Sequence, residues 1–206
     1  AFAGGNMFMS LTGLGTAAAP NASTIQSSPR GAFTWSPFTT GVTPVWGFPP
    51  MPIKYNGTNL FTYSGSTVSR TTGTGLPWTS TGGPGLTVRA MAVDGSGIVY
   101  AGGSGSAIRI YSPTGGWRAP TIPPSGSRNV LGFAPGASCS AAQVAYVALS
   151  GVTGARIFRS ADTGDTWSDV TGDLPDGVNV STLLVDPADD DTAYAATDFG
   201  VYRTTN

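Results

Sequence analysis

Almost every side chain in this sequence that is able to do acid–base or metal chemistry is an aspartate. All 11 acidic residues are Asp; one, Asp94, stands alone, and the rest lie between Asp162 and Asp198. Two such carboxylates facing one another across a cleft would serve as a general acid and base. Asp186, Asp189 and Asp191, in "DPADDDTAY" (186–194), offer the hard oxygen ligands that Ca²⁺ takes. Neither pattern is complete. The run lacks a Glu and the spacing of an EF-hand loop, so it reads as a solvated turn between strands. A carboxylate pair would need Asp94 to face the others. The chain has no His and no Glu, which excludes Ser-His-Asp triads, Cys-His pairs and imidazole metal sites. No catalytic residue, metal site or cofactor is assigned.

The elements that carry these aspartates follow from composition. With 40% hydrophobic residues over 206 positions, the chain has enough apolar surface for a sizeable core. Charged residues are only 10%, against roughly 25% in ordinary soluble domains. Gly 30 and Pro 16 are high, and Lys54 is the only Lys. Strong helix formers are scarce apart from Ala and Leu, so the chain is expected to be all-β and turn-rich, with no helix longer than two turns. The single cysteine, Cys139, is either a small buried residue or pairs with something outside the chain. No apolar run reaches the roughly 18 residues of a membrane-spanning helix. A start at Ala1 without a signal segment fits a processed secreted protein or an internal fragment. Sequons at Asn21, Asn56 and Asn179 matter only in a glycosylating source.

Charge is unevenly spread. Up to Ser160 nine basic side chains face Asp94 alone, and from Ala161 onward ten Asp face only Arg203, so a net charge of −1 hides a dipolar chain. Such a chain favours docking by electrostatic complementarity, unless the basic residues merely keep strands soluble. No basic run is present, and nucleic acid is not an expected partner.

Repeats organise the whole chain. "RTTGTGLPW" (70–78) matches "RSADTGDTW" (159–167) at Arg, the hydroxyl residue, Gly and Trp; "SSPRGAFTW" (27–35) fits more loosely and "YSPTGGW" (111–117) is a shortened form. Trp35, Trp78, Trp117 and Trp167 are 43, 39 and 50 residues apart. A second register places Tyr100, Tyr146 and Tyr194 in short apolar strands followed by small residues, at spacings of 46 and 48. Strand, turn, strand, turn, strand, then Trp is the order of a propeller blade, a small sheet that needs neighbours to bury both faces.

"SADTGDTW" (160–167) matches the Asp-box pattern SxDxGxTW in full, and the chain resembles the β-propellers built from bacterial neuraminidase (BNR) repeats, in detail over about residues 88–206. The resemblance implies an Asp-box β-propeller formed as one domain over 1–206. Its blade units are 1–41 (partial), 53–83, 88–118, 130–171 and 180–206, the last unfinished and part of a larger ring. The box would be a turn between the third and fourth strands, away from the central site. Ser160 and Asp162 would bond turn N–H groups, Gly164 would take the positive φ, Thr166 would complete the box, and Trp167 would staple the turn to the sheet.

Two function classes follow from that resemblance. One is a non-enzymatic, extracytoplasmic interaction propeller, periplasmic or secreted, acting with protein partners as an accessory or assembly subunit, as photosystem assembly factors and sortilin-like receptors do. The other is a glycoside hydrolase resembling sialidases or xyloglucanases, with carbohydrate as partner. A sialidase site would need a Glu that this chain lacks, and the Asp distribution disfavours a xyloglucanase-like pair, so binding is the expectation. Partner-binding candidates are Trp46, Phe48 and Met51 in the Pro-rich stretch 39–55, whose prolines preclude ladder bonding, and Asp189, Asp190 and Asp191. The alternative for the Pro-rich stretch is that it crosses between blades and packs on their apolar faces.

Overall fold

The computed structural model describes residues 2–3, 5–11, 24–32, 34–42, 52–72, 75–121, 127–136 and 143–205. Trp46, Phe48, Met51 and Cys139 lie outside the described residues. The chain forms two compact units, Ala1–Gly85 and Leu86–Asn206. Every element among the described residues is a strand, and every strand pairing is antiparallel.

The first unit holds two four-stranded sheets. Strands β1 (Phe2–Ala3), β2 (Asn6–Leu11), β3 (Thr24–Pro29) and β4 (Ser36–Pro37) pair in chain order, as do β5 (Lys54–Tyr55), β6 (Leu60–Ser64), β7 (Thr67–Arg70) and β8 (Thr79–Ser80). Short turns drive these pairings. The Asn56 side-chain oxygen accepts the N–H groups of Thr58 and Asn59, closing β5 onto β6. Phe8, Ile25, Phe38, Val42, Leu60 and Trp78 form the core. Phe38 lies edge-on to Phe8 at 4.9 Å and to Trp78 at 5.9 Å, the geometry ring quadrupoles favour.

The second unit holds three sheets. The third sheet is β9 (Ala90–Val93), β10 (Val99–Gly102), β11 (Ile108–Ser112) and β12 (Gly116–Arg118). The fourth is β13 (Val130–Pro135), β14 (Ala145–Leu149), β15 (Ile157–Ser160) and β16 (Ser168–Asp169). The fifth has three strands, β17 (Val180–Asp186), β18 (Asp189–Thr197) and β19 (Gly200–Thr205). The first strand of the fourth sheet, β13, lies against β9 and β17.

Small residues make that approach feasible. A Cβ on Gly102 would sit 2.4 Å from Val130 Cγ1, so only glycine lets β10 approach β13. The second strands carry the repeated tyrosines. Tyr100 pairs with Ile110, Tyr146 with Arg159 and Tyr194 with Arg203, which gives the three sheets one register. Strand alternation then turns each Tyr and its pair to the same side. Tyr100 contacts Phe133 of the fourth sheet, and Tyr146 bonds the fifth.

The tryptophans part company. Trp78 and Trp167 are buried at 3% exposure, Trp117 is half-buried beside Tyr111, and Trp35 is 38% exposed. The acidic run also differs from expectation. Only Pro187 and Ala188 form the turn, and Asp189–Asp191 open β18, because Asp186 pairs with Asp189 and its Oδ1 accepts the Ala188 N–H at 2.9 Å.

Candidate functional site

The turn from β15 to β16 spans the "SADTGDTW" stretch. Ser160 Oγ accepts from the N–H of Gly164 at 2.8 Å and donates to Asp162 Oδ1 at 2.8 Å. Asp162 Oδ1 accepts the Thr166 N–H at 2.9 Å, and Oδ2 accepts the Thr166 hydroxyl at 2.6 Å. Gly164 has φ 85°, and Thr163 beside it has φ 61°, so two successive left-handed residues bend the chain back. The Trp167 indole N–H closes the loop on the Gly164 carbonyl at 3.0 Å.

This turn also grips the third sheet. Arg118 pairs with Asp165 and donates to the Thr163 carbonyl at 2.8 Å, while the Thr121 N–H donates to the Asp165 carbonyl at 2.9 Å. Partial burial pushes the Asp162 carboxyl up, but the Thr166 and Ser160 bonds outweigh it and hold its pKa below the usual carboxylate value. A carboxylate so engaged is a poor proton donor at neutral pH. The geometry makes the turn a connector between sheets.

The acidic start of β18 is engaged in a similar way. Asp191 pairs with Arg159, whose Nε donates to the Tyr146 hydroxyl at 3.2 Å; that hydroxyl donates in turn to the Asp190 carbonyl at 3.2 Å. Asp189 accepts from the Asp191 N–H and the Thr192 hydroxyl, and those bonds lower its pKa. Asp186 accepts from the Tyr194 hydroxyl at 3.0 Å. Among the described residues no group of three His, Cys, Asp or Glu side chains is placed to hold a metal ion. Three basic residues before Ser160 thus pair with three carboxylates after it, Arg118 with Asp165, Arg156 with Asp176 and Arg159 with Asp191. Part of the charge asymmetry is taken up inside the second unit.

Asp94, the remaining carboxylate, is 3% exposed at the end of β9. Its Oδ1 accepts the N–H groups of Ser96 and Ile98 at 2.9 and 3.0 Å, and burial raises its pKa against those bonds. Its Oδ2, the Tyr100 hydroxyl and Gln143 Oε1 are buried without a hydrogen-bond partner among the described residues. Burial, followed by the Asp94 charge, pushes the Tyr100 phenol far up. Asp94 therefore belongs to the interior.

The feature that sequence reasoning missed is the outer side of the fifth sheet. Leu183, Val185, Ala193 and Ala195 turn toward the fourth sheet and join its core. The opposite side carries Leu184, 60% exposed, in register with Tyr194 and Arg203, and Val201, 70% exposed, opposite Ala196. Phe199, in the turn between β18 and β19, is 75% exposed. The signal was available in "VSTLLVD": period-two alternation that buries Leu183 and Val185 must expose Leu184. A cleft of about 260 Å³ opens between the fourth and fifth sheets, lined by Ile157, Val170, Leu174, Leu183, Ala195 and Tyr202 among others.

Five small antiparallel meanders of this kind define the β-propeller class, and solved structures bear the fold out. YCF48 from Cyanidioschyzon merolae is similar at 15% identity and a TM-score of 0.59 over 91% of this chain and 64% of that one. YCF48 bound to D1 peptide is similar at 16% identity and 0.63, over 89% and 58%. The GH74 xyloglucanase from Xanthomonas campestris is similar at 18% identity and 0.64, over 91% and 27%. The chain thus spans less than two thirds of the length of each of these proteins. No protein-family model and no curated protein sequence matches it.

Proposed function

We propose that this chain is a non-enzymatic, extracytoplasmic propeller of the BNR/Asp-box type that binds protein partners as an accessory or assembly subunit of a larger complex. One observation carries the reading: the outer side of the fifth sheet, with Leu184, Val201 and neighbouring Phe199, concentrates large exposed apolar side chains. Such a patch is costly in water and calls for a cover, which a protein partner or a further part of the same protein supplies. The likeness to a YCF48 structure with a bound peptide supports a protein partner. No helix among the described residues is long and apolar enough to cross a membrane.

The xyloglucanase likeness favours a second reading, a hydrolase acting on polysaccharide. The burial of Asp94 counts against it, since this chain's other carboxylates crowd between 162 and 198. One experiment separates the two. Extracytoplasmic extract of the source is fractionated by size, with the wild-type chain and a Leu184→Ser/Phe199→Ser/Val201→Ser variant, and both are assayed on xyloglucan and sialosides. Binding predicts co-elution above the chain's own mass for wild type alone, with no turnover. Polysaccharide turnover by the chain would decide for the hydrolase.

A further inference from the structure

Three buried oxygens of the second unit, Asp94 Oδ2, the Tyr100 hydroxyl and Gln143 Oε1, have no hydrogen-bond partner among the described residues. Their residues are 3%, 0% and 2% exposed. Leaving one such group unsatisfied costs more than an ordinary hydrogen bond contributes, and a carboxylate costs most. Three in one region call for a common partner.

The ladder turns Asp94 and Tyr100 to one side of the third sheet. Tyr100 pairs with Ala92, and the Asp94 N–H continues the pairing to the Ile98 carbonyl at 3.1 Å. Asp94, two residues beyond Ala92, therefore points the same way as Tyr100. That side meets the fourth sheet. A Cβ on Gly164 would lie 3.1 Å from Tyr100 Cε1, so the turn from β15 to β16 covers the edge of the phenol ring. Gln143, just before β14, is anchored to the same turn: its N–H donates to Thr163 Oγ1 at 3.1 Å, and its carbonyl accepts the Thr163 N–H at 3.0 Å. Its side-chain Nε2 then crosses to Ser96 Oγ at 3.4 Å, and the Ser96 N–H is one of the two that hold Asp94 Oδ1. The three oxygens thus flank a single contact between two complete four-stranded sheets.

Their chemistry has a definite sense. Asp94 Oδ2, as a carboxylate oxygen, and Gln143 Oε1 accept, whereas Tyr100, whose phenol burial keeps protonated, has a proton to donate. Among the described residues no basic side chain pairs with Asp94, since Arg118, Arg156 and Arg159 pair with other carboxylates. Ca²⁺ takes about six to eight oxygen ligands, and one carboxylate with two neutral oxygens falls far short of that. A molecule that donates twice and accepts once satisfies all three groups, and water is that molecule.

We propose that the contact between the third and fourth sheets is a binding site for one buried water, which donates to Asp94 Oδ2 and Gln143 Oε1 and accepts from the Tyr100 hydroxyl. The bridge ties the first two strands of the third sheet to the entry of β14. It stands whether or not the chain binds a protein partner.

A high-resolution crystal structure of the chain tests the site directly. Expected is one water at about 2.5–3.0 Å from all three oxygens. In solution, Tyr100→Phe should lower the folding equilibrium constant about 5-fold or more, because it strips the water of its donor. Were the hydroxyl an orphan, the same change would remove a penalty and raise stability. Gln143→Met removes another end of the bridge at similar volume. The double variant should fall short of the product of the two single losses by at least about twofold, because both act on one water. The proposal is overturned by a direct hydrogen bond between any two of the three groups, by a metal ion or a group from residues 137–142 at the water's position, by a Tyr100→Phe chain as stable as wild type, or by strict additivity. If a variant fails to fold, the electron density of the wild-type chain decides.

Discussion

The indole N–H of Trp78 donates to the carbonyl of Phe38 at 2.8 Å, a partner 40 residues earlier that directly follows the last strand of the preceding sheet. Trp167, at the matching place in its own repeat, instead bonds the Gly164 carbonyl three residues away. One sequence position thus serves a long-range clasp in the first unit and a local one in the second. Both rings are buried at 3%, whereas Trp35 is 38% exposed. Trp78→Ala and Trp167→Ala should each cost on the order of 3–5 kcal/mol, as large aromatic deletions in cores do. Trp35→Ala should stay within about 0.5 kcal/mol, the range of surface changes. Urea unfolding of the three variants checks the ranking; equal losses would contradict it.

Arg156 has no exposed surface, yet its carboxylate partner, Asp176, is 75% exposed and 3.5 Å away. The guanidinium's stronger bonds go to the carbonyls of Leu174 and Pro175 at 2.9 and 3.1 Å. The carbonyls, and not the ion pair, are what Arg156 serves. Arg156→Ala should destabilise by about 2–4 kcal/mol through stranded carbonyls and a cavity. Asp176→Asn should cost less than about 1 kcal/mol. Arg156→Lys should not restore stability, since an ammonium lacks the planar fork.

Asp162 titrates below its ordinary value in the folded chain, so its contribution is present at neutral pH and is lost as pH falls through the folded pKa. Asp162→Ala should cost about 1 kcal/mol at neutral pH from the lost turn bonds. The difference between variant and wild type should shrink on acidification. Denaturant midpoints measured from neutral pH downward test the sign.

Asp94 runs the other way. Its folded pKa is raised by burial, so the native chain binds the proton first. Its contribution is most favourable below the unfolded value and declines as pH rises through the folded one. Asp94→Asn keeps an acceptor for the Ser96 and Ile98 N–H groups and removes the buried charge. The variant should equal or exceed wild type in stability at neutral pH and lose its advantage in acid. A variant that is less stable at neutral pH than in acid, relative to wild type, would reverse this assignment.

The sequence by itself determined the strands and their order. Repeated Trp and Tyr spacings, Gly-rich turns and period-two alternation are local or near-local signals, and in the second unit they reappear as β9 to β19 in the expected succession. The turn chemistry of Ser160, Asp162 and Gly164 was legible for the same reason, since its bonds span four residues or fewer. The run "DPADDDTAY", which lacks an EF-hand pattern, reads as a turn between strands; the pairing of Asp186 with Asp189 puts Asp189–Asp191 in β18, and Arg159, 32 residues before Asp191, pairs with that carboxylate. Only the tertiary structure decided the rest. Which tryptophans are buried, which arginine reaches which aspartate, and which side of β17–β19 lacks a cover all depend on what packs from a neighbouring sheet. Alternation assigns each side chain to one of two faces, but the contact that buries a face comes from a strand tens of residues away.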